Sequence, residues 1–236
     1  MEEEKVIYNY EYAGNKSVVS SLFTKVYMWM AVALFLTAAT ALYFATSQSL
    51  MATLLSNQVL FYGIFIAEFG LVVLLSSRIS KLSFSTAFII FLAYSILNGI
   101  TMSVLFLVYT ATSIQNVFLI TGGMFGTMSL VGYFTKKDLS SMGKILYMAL
   151  IGIIIASVVN IFAASSSLDW LISYIGVGVF VGLTAYDTQK IKRLLNANGS
   201  EVSDDTKKIA LMGSLMLYLD FVNMFIYLLR LFGSRK

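Results

Sequence analysis

Asp187 and Asp220 stand within or against apolar stretches of a 236-residue chain whose apolar segments otherwise hold, apart from Asp169 and Arg230 near their ends, one more acid, Glu68, and no Lys or Arg. An ionised Asp at the middle of a membrane helix costs roughly 2.5 to 3.5 kcal/mol, so an acid retained there is a functional-site candidate. The chain has no His and no Cys, which removes disulfides, thiol chemistry and zinc or haem sites. Any response to pH between about 5 and 8 then falls to Glu68, Asp187 and Asp220, because His is the side chain that ordinarily titrates there. Desolvation favours a neutral carboxyl. If the two aspartates face each other, mutual repulsion makes them share a proton and titrate as a pair.

The elements that must carry these acids follow from composition. With 58% hydrophobic and 12% charged residues, the chain has about half the charge of a typical soluble domain. Seven runs reach the roughly 20 residues needed to cross a bilayer core, at 26–46, 58–77, 85–109, 115–134, 145–164, 168–188 and 209–232. Backbone polar groups need internal partners in lipid, and the runs lack the alternation of a membrane barrel, so each is expected to be helical. The expected fold is an all-α polytopic membrane protein with one seven-helix transmembrane domain over 1–236. Residues 1–25 are expected to form a cytoplasmic N-terminal segment and 189–208 a mobile cytoplasmic loop.

Orientation follows from the loop charges. The N-terminal segment and the connections after spans two, four and six hold thirteen of the sixteen Lys and Arg residues, and those after spans one, three and five hold none. The positive-inside rule therefore puts the N-terminus in the cytoplasm. Seven crossings put the C-terminus outside, where Arg230, Arg235 and Lys236 go against the rule, and a final helix that turns back is the alternative. The opening MEEEK is acidic and does not read as a secretory signal. The short basic loops lack interleaved aromatics, so no nucleic-acid partner is expected.

The spans also contain neutral polar groups. Gly213, Met216, Asp220, Asn223 and Tyr227 recur at steps of three or four and share one helix face. Asn98 and Thr101, Asn160, and Thr184 could line the same interior, or simply bond helix to helix. Proline is absent, so bends must come from glycine or polar side chains. Gly178 with Gly182 and Gly122 with Gly126 form small-xxx-small pairs suited to close helix packing.

The segments AYDTQKIK around Asp187, LYLDFVNMFIYLLRLFG around Asp220 and IAEFGLVVLLSSRIS around Glu68 and Arg78 closely resemble the Bax inhibitor-1 family, also called the transmembrane BAX inhibitor motif family. The resemblance spans all seven runs. It implies two three-helix layers around a central C-terminal helix, and a pH-sensitive calcium leak across the membrane. By motif match Asp187 and Asp220 would be the proton-sharing pair and gate, Arg78 the latch that pairs with them, and Glu68 an acid in the ion path, with Asn98, Asn160 and Asn223 as possible support. Glu68, Asp187 and Asp220 are also the candidate transient calcium ligands. So few oxygens suit passage of a hydrated ion better than storage. Calcium is then cargo, and no cofactor is expected.

Rival classes are separable. An intramembrane aspartyl protease would use two aspartates, and Tyr186-Asp187 fits its first motif, but Leu217-Tyr218-Leu219 stands where a Gly-x-Gly is needed. A proton-coupled transporter would show repeats or proline-broken helices, and neither is seen. No enzyme is therefore expected. An interaction role, modulating a membrane-bound protease or another partner, is the alternative function. The lack of Cys and of a retention signal favours a bacterial inner membrane.

Overall fold

The computed structural model describes residues 2–198 and 201–236, with side chains from residue 16 onward. Among the described residues nine α-helices follow in chain order: α1 Glu2–Thr46, α2 Gln48–Ser56, α3 Gln58–Arg78, α4 Phe84–Met102, α5 Leu105–Val108, α6 Ala111–Phe134, α7 Ser140–Ala163, α8 Ser166–Asn198 and α9 Asp204–Phe232. Among the described residues there is no strand, and one 3-10 turn, Ile79–Lys81, follows α3. Among the described residues, seven helical segments are long and apolar enough to cross a membrane: Lys16–Thr46, Gln58–Lys81, Phe84–Val108, Ala111–Phe134, Ser140–Ala163, Ser166–Asn198 and Asp204–Phe232. The chain is an all-α polytopic membrane protein.

Helix boundaries are set by polar side chains. Asn57, Ser83, Thr110 and Ser203 each accept a hydrogen bond from a backbone N–H three residues on, at 3.0, 3.2, 3.3 and 3.3 Å. Such caps satisfy donors that a helix start leaves open. At the end of α7, Ala164 takes a left-handed conformation (φ 47°), a costly choice for a residue with a Cβ. The amide oxygen of Asn160 accepts from Ser165 N at 3.0 Å and holds the turn in place.

The chain packs as two compact units. One comprises residues 1–105 and 191–215, the other 106–190 and 216–236. In the first, α1 and α4 meet where a Cβ on Gly99 would run into the Thr37 carbonyl. There Thr37 Oγ1 donates across to Ser95 O at 2.9 Å, and Trp29 packs on Phe84 at 5.2 Å. The same unit holds Ile191 and Leu195, exposed by 1% and 0%.

Those two residues correct the expected loop at 189–208. Helix α8 continues to Asn198 and α9 begins at Asp204, because Ile191 and Leu195, one turn apart, fall on the same side of the helix and are buried. Their flanking charges hide that short apolar seam from a hydropathy reading. The link between the helices is confined to 199–203, of which 199 and 200 lie outside the described residues.

In the second unit, Phe221 of α9 packs edge-on against Phe118 and Phe125 of α6 at 5.2 and 5.5 Å. A Cβ on Gly132 would collide with the Ala185 backbone, and one on Gly176 with the Tyr227 ring. Of the expected glycine pairs, Gly182 meets Leu146, whereas Gly122, Gly126 and Gly178 face open space. The close approach in α6 thus comes at Gly132.

The C-terminal tail is anchored by backbone hydrogen bonds. Thr110 N donates to Ser234 O at 3.1 Å and Lys236 N to Val108 O at 3.0 Å, tying the tail to the connection after the third span. The tail therefore lies beside that connection. Two of the three charges at odds with the loop rule have local partners: Arg230 pairs with Asp169 at 3.3 Å, and the Lys236 ammonium donates to Phe106 O at 2.6 Å.

Candidate functional site: a buried aspartate pair

Helices α8 and α9 bring Asp187 and Asp220 together in the second unit. Each side chain is buried, with 4% of its residue surface exposed, and the charge of Asp187 acts directly on Asp220. Helix α9 is the most enclosed span, with 61% of its apolar stretch buried against 6 to 44% for the other six. A helix surrounded in this way is apolar nearly all round, and Asp220 is the one ionised-type side chain in its buried middle.

The two carboxyls are served unequally. Asp187 Oδ1 accepts a hydrogen bond from the Tyr147 hydroxyl of α7 at 3.3 Å, and the Lys190 ammonium, one turn further along α8, acts on it electrostatically. Lys190 also lies 6.0 Å from the Tyr147 ring centre and 5.8 Å from that of Tyr186. Asp220 Oδ2 has no hydrogen-bond partner, and two further buried hydroxyls in this unit, Ser129 Oγ and Thr188 Oγ1, share that condition. An unpaired buried carboxylate oxygen is costly unless a proton or water serves it. Two acids at this proximity resist double ionisation, so one proton held between them is the arrangement their chemistry favours.

The pair is positioned by residues a single-sequence reading overlooked. A Cβ on Gly143 of α7 would overlap the Tyr186 ring, so glycine lets the residue beside Asp187 seat against α7. Gln189 locks the connection between α6 and α7: its Nε2 donates to Lys137 O at 2.8 Å and its Oε1 accepts from Leu139 N at 2.9 Å. Lys190 was detectable in principle, because it follows Asp187 at the i,i+3 spacing that places side chains together. Tyr147 gives no such signal, since its partner is 40 residues away.

Glu68 lies in the first unit with its own polar setting. It is 8% exposed, and its carboxylate accepts from Asn98 Nδ2 at 3.3 Å and from Thr101 Oγ1 at 3.0 Å. Both neutral partners come from α4. Arg78 ends α3 in the same unit and is exposed. Asn160 caps its own turn, as described above, and Asn223 Nδ2 donates to Leu219 O of its own helix at 2.8 Å, so neither amide bonds to the aspartates. Thr184 Oγ1 likewise returns to Phe180 O at 2.8 Å. Among the described residues no group of three or more acids gathers to hold a metal ion; Glu68 and the aspartate pair stand in different units.

Comparison with known proteins gives this constellation a context. The family model described as "Inhibitor of apoptosis-promoting Bax1" matches residues 19–236. Inner membrane protein YbhL of Escherichia coli K12 is 50% identical over 212 residues, covering 90% of this chain and 91% of its own. A Borreliella burgdorferi protein is 43% identical over 222 residues, covering 93% and 94%, and a Rickettsia prowazekii protein is 40% identical over 221, covering 90% and 89%. Matched along almost its whole length, the chain belongs to the Bax inhibitor-1 family of multi-pass membrane proteins, which has bacterial members.

Proposed function

We propose that the protein is a pH-sensitive calcium leak channel, gated by proton sharing between Asp187 and Asp220. The observation that carries this reading is the buried pair itself, two acids from α8 and α9 acting on each other with one oxygen of Asp220 unpartnered. Singly protonated, the pair carries one negative charge that a cation can bridge. Losing the proton adds a second, repelling charge, and gaining one removes the charge that attracts the cation. Either change shifts a balanced helix arrangement. Arg78 is the latch cation in this reading and Glu68 an acid of the ion path, its carboxyl held by Asn98 and Thr101.

Calcium enters as cargo, favoured by carboxylate oxygens and held transiently by Glu68, Asp187 and Asp220. The name of the Escherichia coli relative supports a bacterial inner membrane, and the loop charges support a cytoplasmic N-terminus. Purified protein in calcium-indicator liposomes tests the proposal: influx above that of protein-free liposomes, varying with pH, is expected. Influx equal to protein-free liposomes at every pH would overturn it and leave the interaction role at a membrane-bound protease as the reading to pursue.

A further inference from the structure

The first unit carries a groove that shares only Arg78 with the proposed gate. It encloses about 520 Å³ along the outer side of α3 and the turn after it, and its walls are Phe69, Gly70, Val73, Leu74, Arg78 and Lys81 among others. The residues of α3 fall at steps of one, three and four and so form a continuous strip of one helix face. Phe69 and Val73 are 73% and 46% exposed, and Gly70 has nothing within 4 Å of where a Cβ would lie. The missing side chain at Gly70 makes the depression. Ser77 adds no polar demand, because its hydroxyl donates to Val73 O of its own helix at 2.6 Å.

The two cations stand together at one end of this apolar trough. Both are exposed, and neither has a hydrogen-bond, ion-pair or ring partner among the described residues. They lie in the last turn of the span and the turn that follows, where a membrane helix meets the headgroup layer. An apolar channel closed by two unpaired cations matches a molecule with a hydrocarbon chain and an anionic end. Guanidinium and ammonium groups are suited to phosphate oxygens, and basic clusters at this depth attract anionic lipids.

We propose that this groove is a binding site for one anionic phospholipid, its phosphate held by Arg78 and Lys81 and an acyl chain lying over Gly70 between Phe69 and Val73. Positive charge flanking a span sets topology in any membrane protein; the groove beneath it is what a bound lipid needs in addition. Arg78 is shared with the proposed latch whereas Lys81 and Gly70 are not, and lipid retention is measured without ion flux, so either reading can fail alone.

Native mass spectrometry of the detergent-solubilised full chain tests this with phosphatidylglycerol, phosphatidylcholine and inorganic phosphate as probes. One phosphatidylglycerol is expected to be retained in preference to phosphatidylcholine. With each cation contributing about five-fold to attraction for an anionic lipid surface, Lys81→Gln should weaken retention about five-fold and the Arg78→Gln, Lys81→Gln double variant about twenty-five-fold. Gly70→Leu, which fills the trough and leaves both cations, should weaken it as well. Circular dichroism and thermal unfolding check the fold of each variant, and Lys81→Gln suffices should the double variant unfold. Equal retention of both lipids would overturn the proposal in favour of ordinary annular lipid. Displacement of phosphatidylglycerol by millimolar phosphate, with no effect of Gly70→Leu, would make it a free-phosphate site, and a lipid-free dimer lost in Gly70→Leu would assign the groove to a second copy of the chain.

Discussion

Asp187 has a hydroxyl donor and a cation near it, whereas Asp220 has an unpartnered oxygen in the most enclosed helix. That asymmetry gives Tyr147 a measurable role. Its hydroxyl stabilises the charged form of Asp187, although 3.3 Å is long for such a bond. Tyr147→Phe should move the pH midpoint of calcium flux upward by about half a unit, equivalent to about 0.7 kcal/mol. An unmoved midpoint in equally folded vesicles would make the hydroxyl incidental. Arg78→Ala should raise basal flux, because the latch charge is lost while the acids stay. Basal flux equal to that of the parent, with the same orientation in the vesicles, would leave Arg78 a topology residue alone.

Among the elements, α7 is where a backbone requirement meets the site. Gly143→Ala forces a Cβ into the Tyr186 ring, and the strain of such overpacking is about 1 to 3 kcal/mol. Gly152 of the same helix faces open space, so Gly152→Ala should be neutral or stabilising, as alanine ordinarily is in a helix interior. A lower unfolding temperature in detergent for Gly143→Ala, and none for Gly152→Ala, is the expected result; equal temperatures would show that Tyr186 moves aside freely. The seven spans were legible in the sequence because each is a long apolar run. The nine-residue α2 and the end of α8 were not, since α2 is too short to cross and the buried Ile191 and Leu195 are interrupted by charge. Likewise the acids stood out against apolar neighbours, while Tyr147 and Gln189 act on partners 40 and about 50 residues away, a proximity that only the folded chain creates.

For the whole molecule, the tail bonds at Val108 and Thr110 put the C-terminus on the side of the connection after span three. If all seven candidate spans cross, the termini stand on opposite sides. The absence of native Cys makes this simple to check: Ser17→Cys and Ser234→Cys should react with a membrane-impermeant maleimide from opposite sides, Ser234→Cys from outside the cell. Labelling of both from one side would contradict the crossing of the final helix. With a cytoplasmic N-terminus, as proposed, protons reaching the pair from the Asn198 end of α8 would report the pH of the cytoplasm.

The central claim is that the titration of the aspartate pair controls the leak, and it is tested most directly by calcium influx into proteoliposomes from pH 5 to 8 for the parent, Asp220→Asn and Asn223→Ala. Asn keeps the size and hydrogen-bonding capacity of Asp but cannot ionise, and Asn223 bonds only to Leu219 O of its own helix. The account expects Asp220→Asn to flatten the pH profile and Asn223→Ala to leave its shape intact. A profile for Asp220→Asn that overlays the parent across this range would show that Asp220 is structural and would contradict the account.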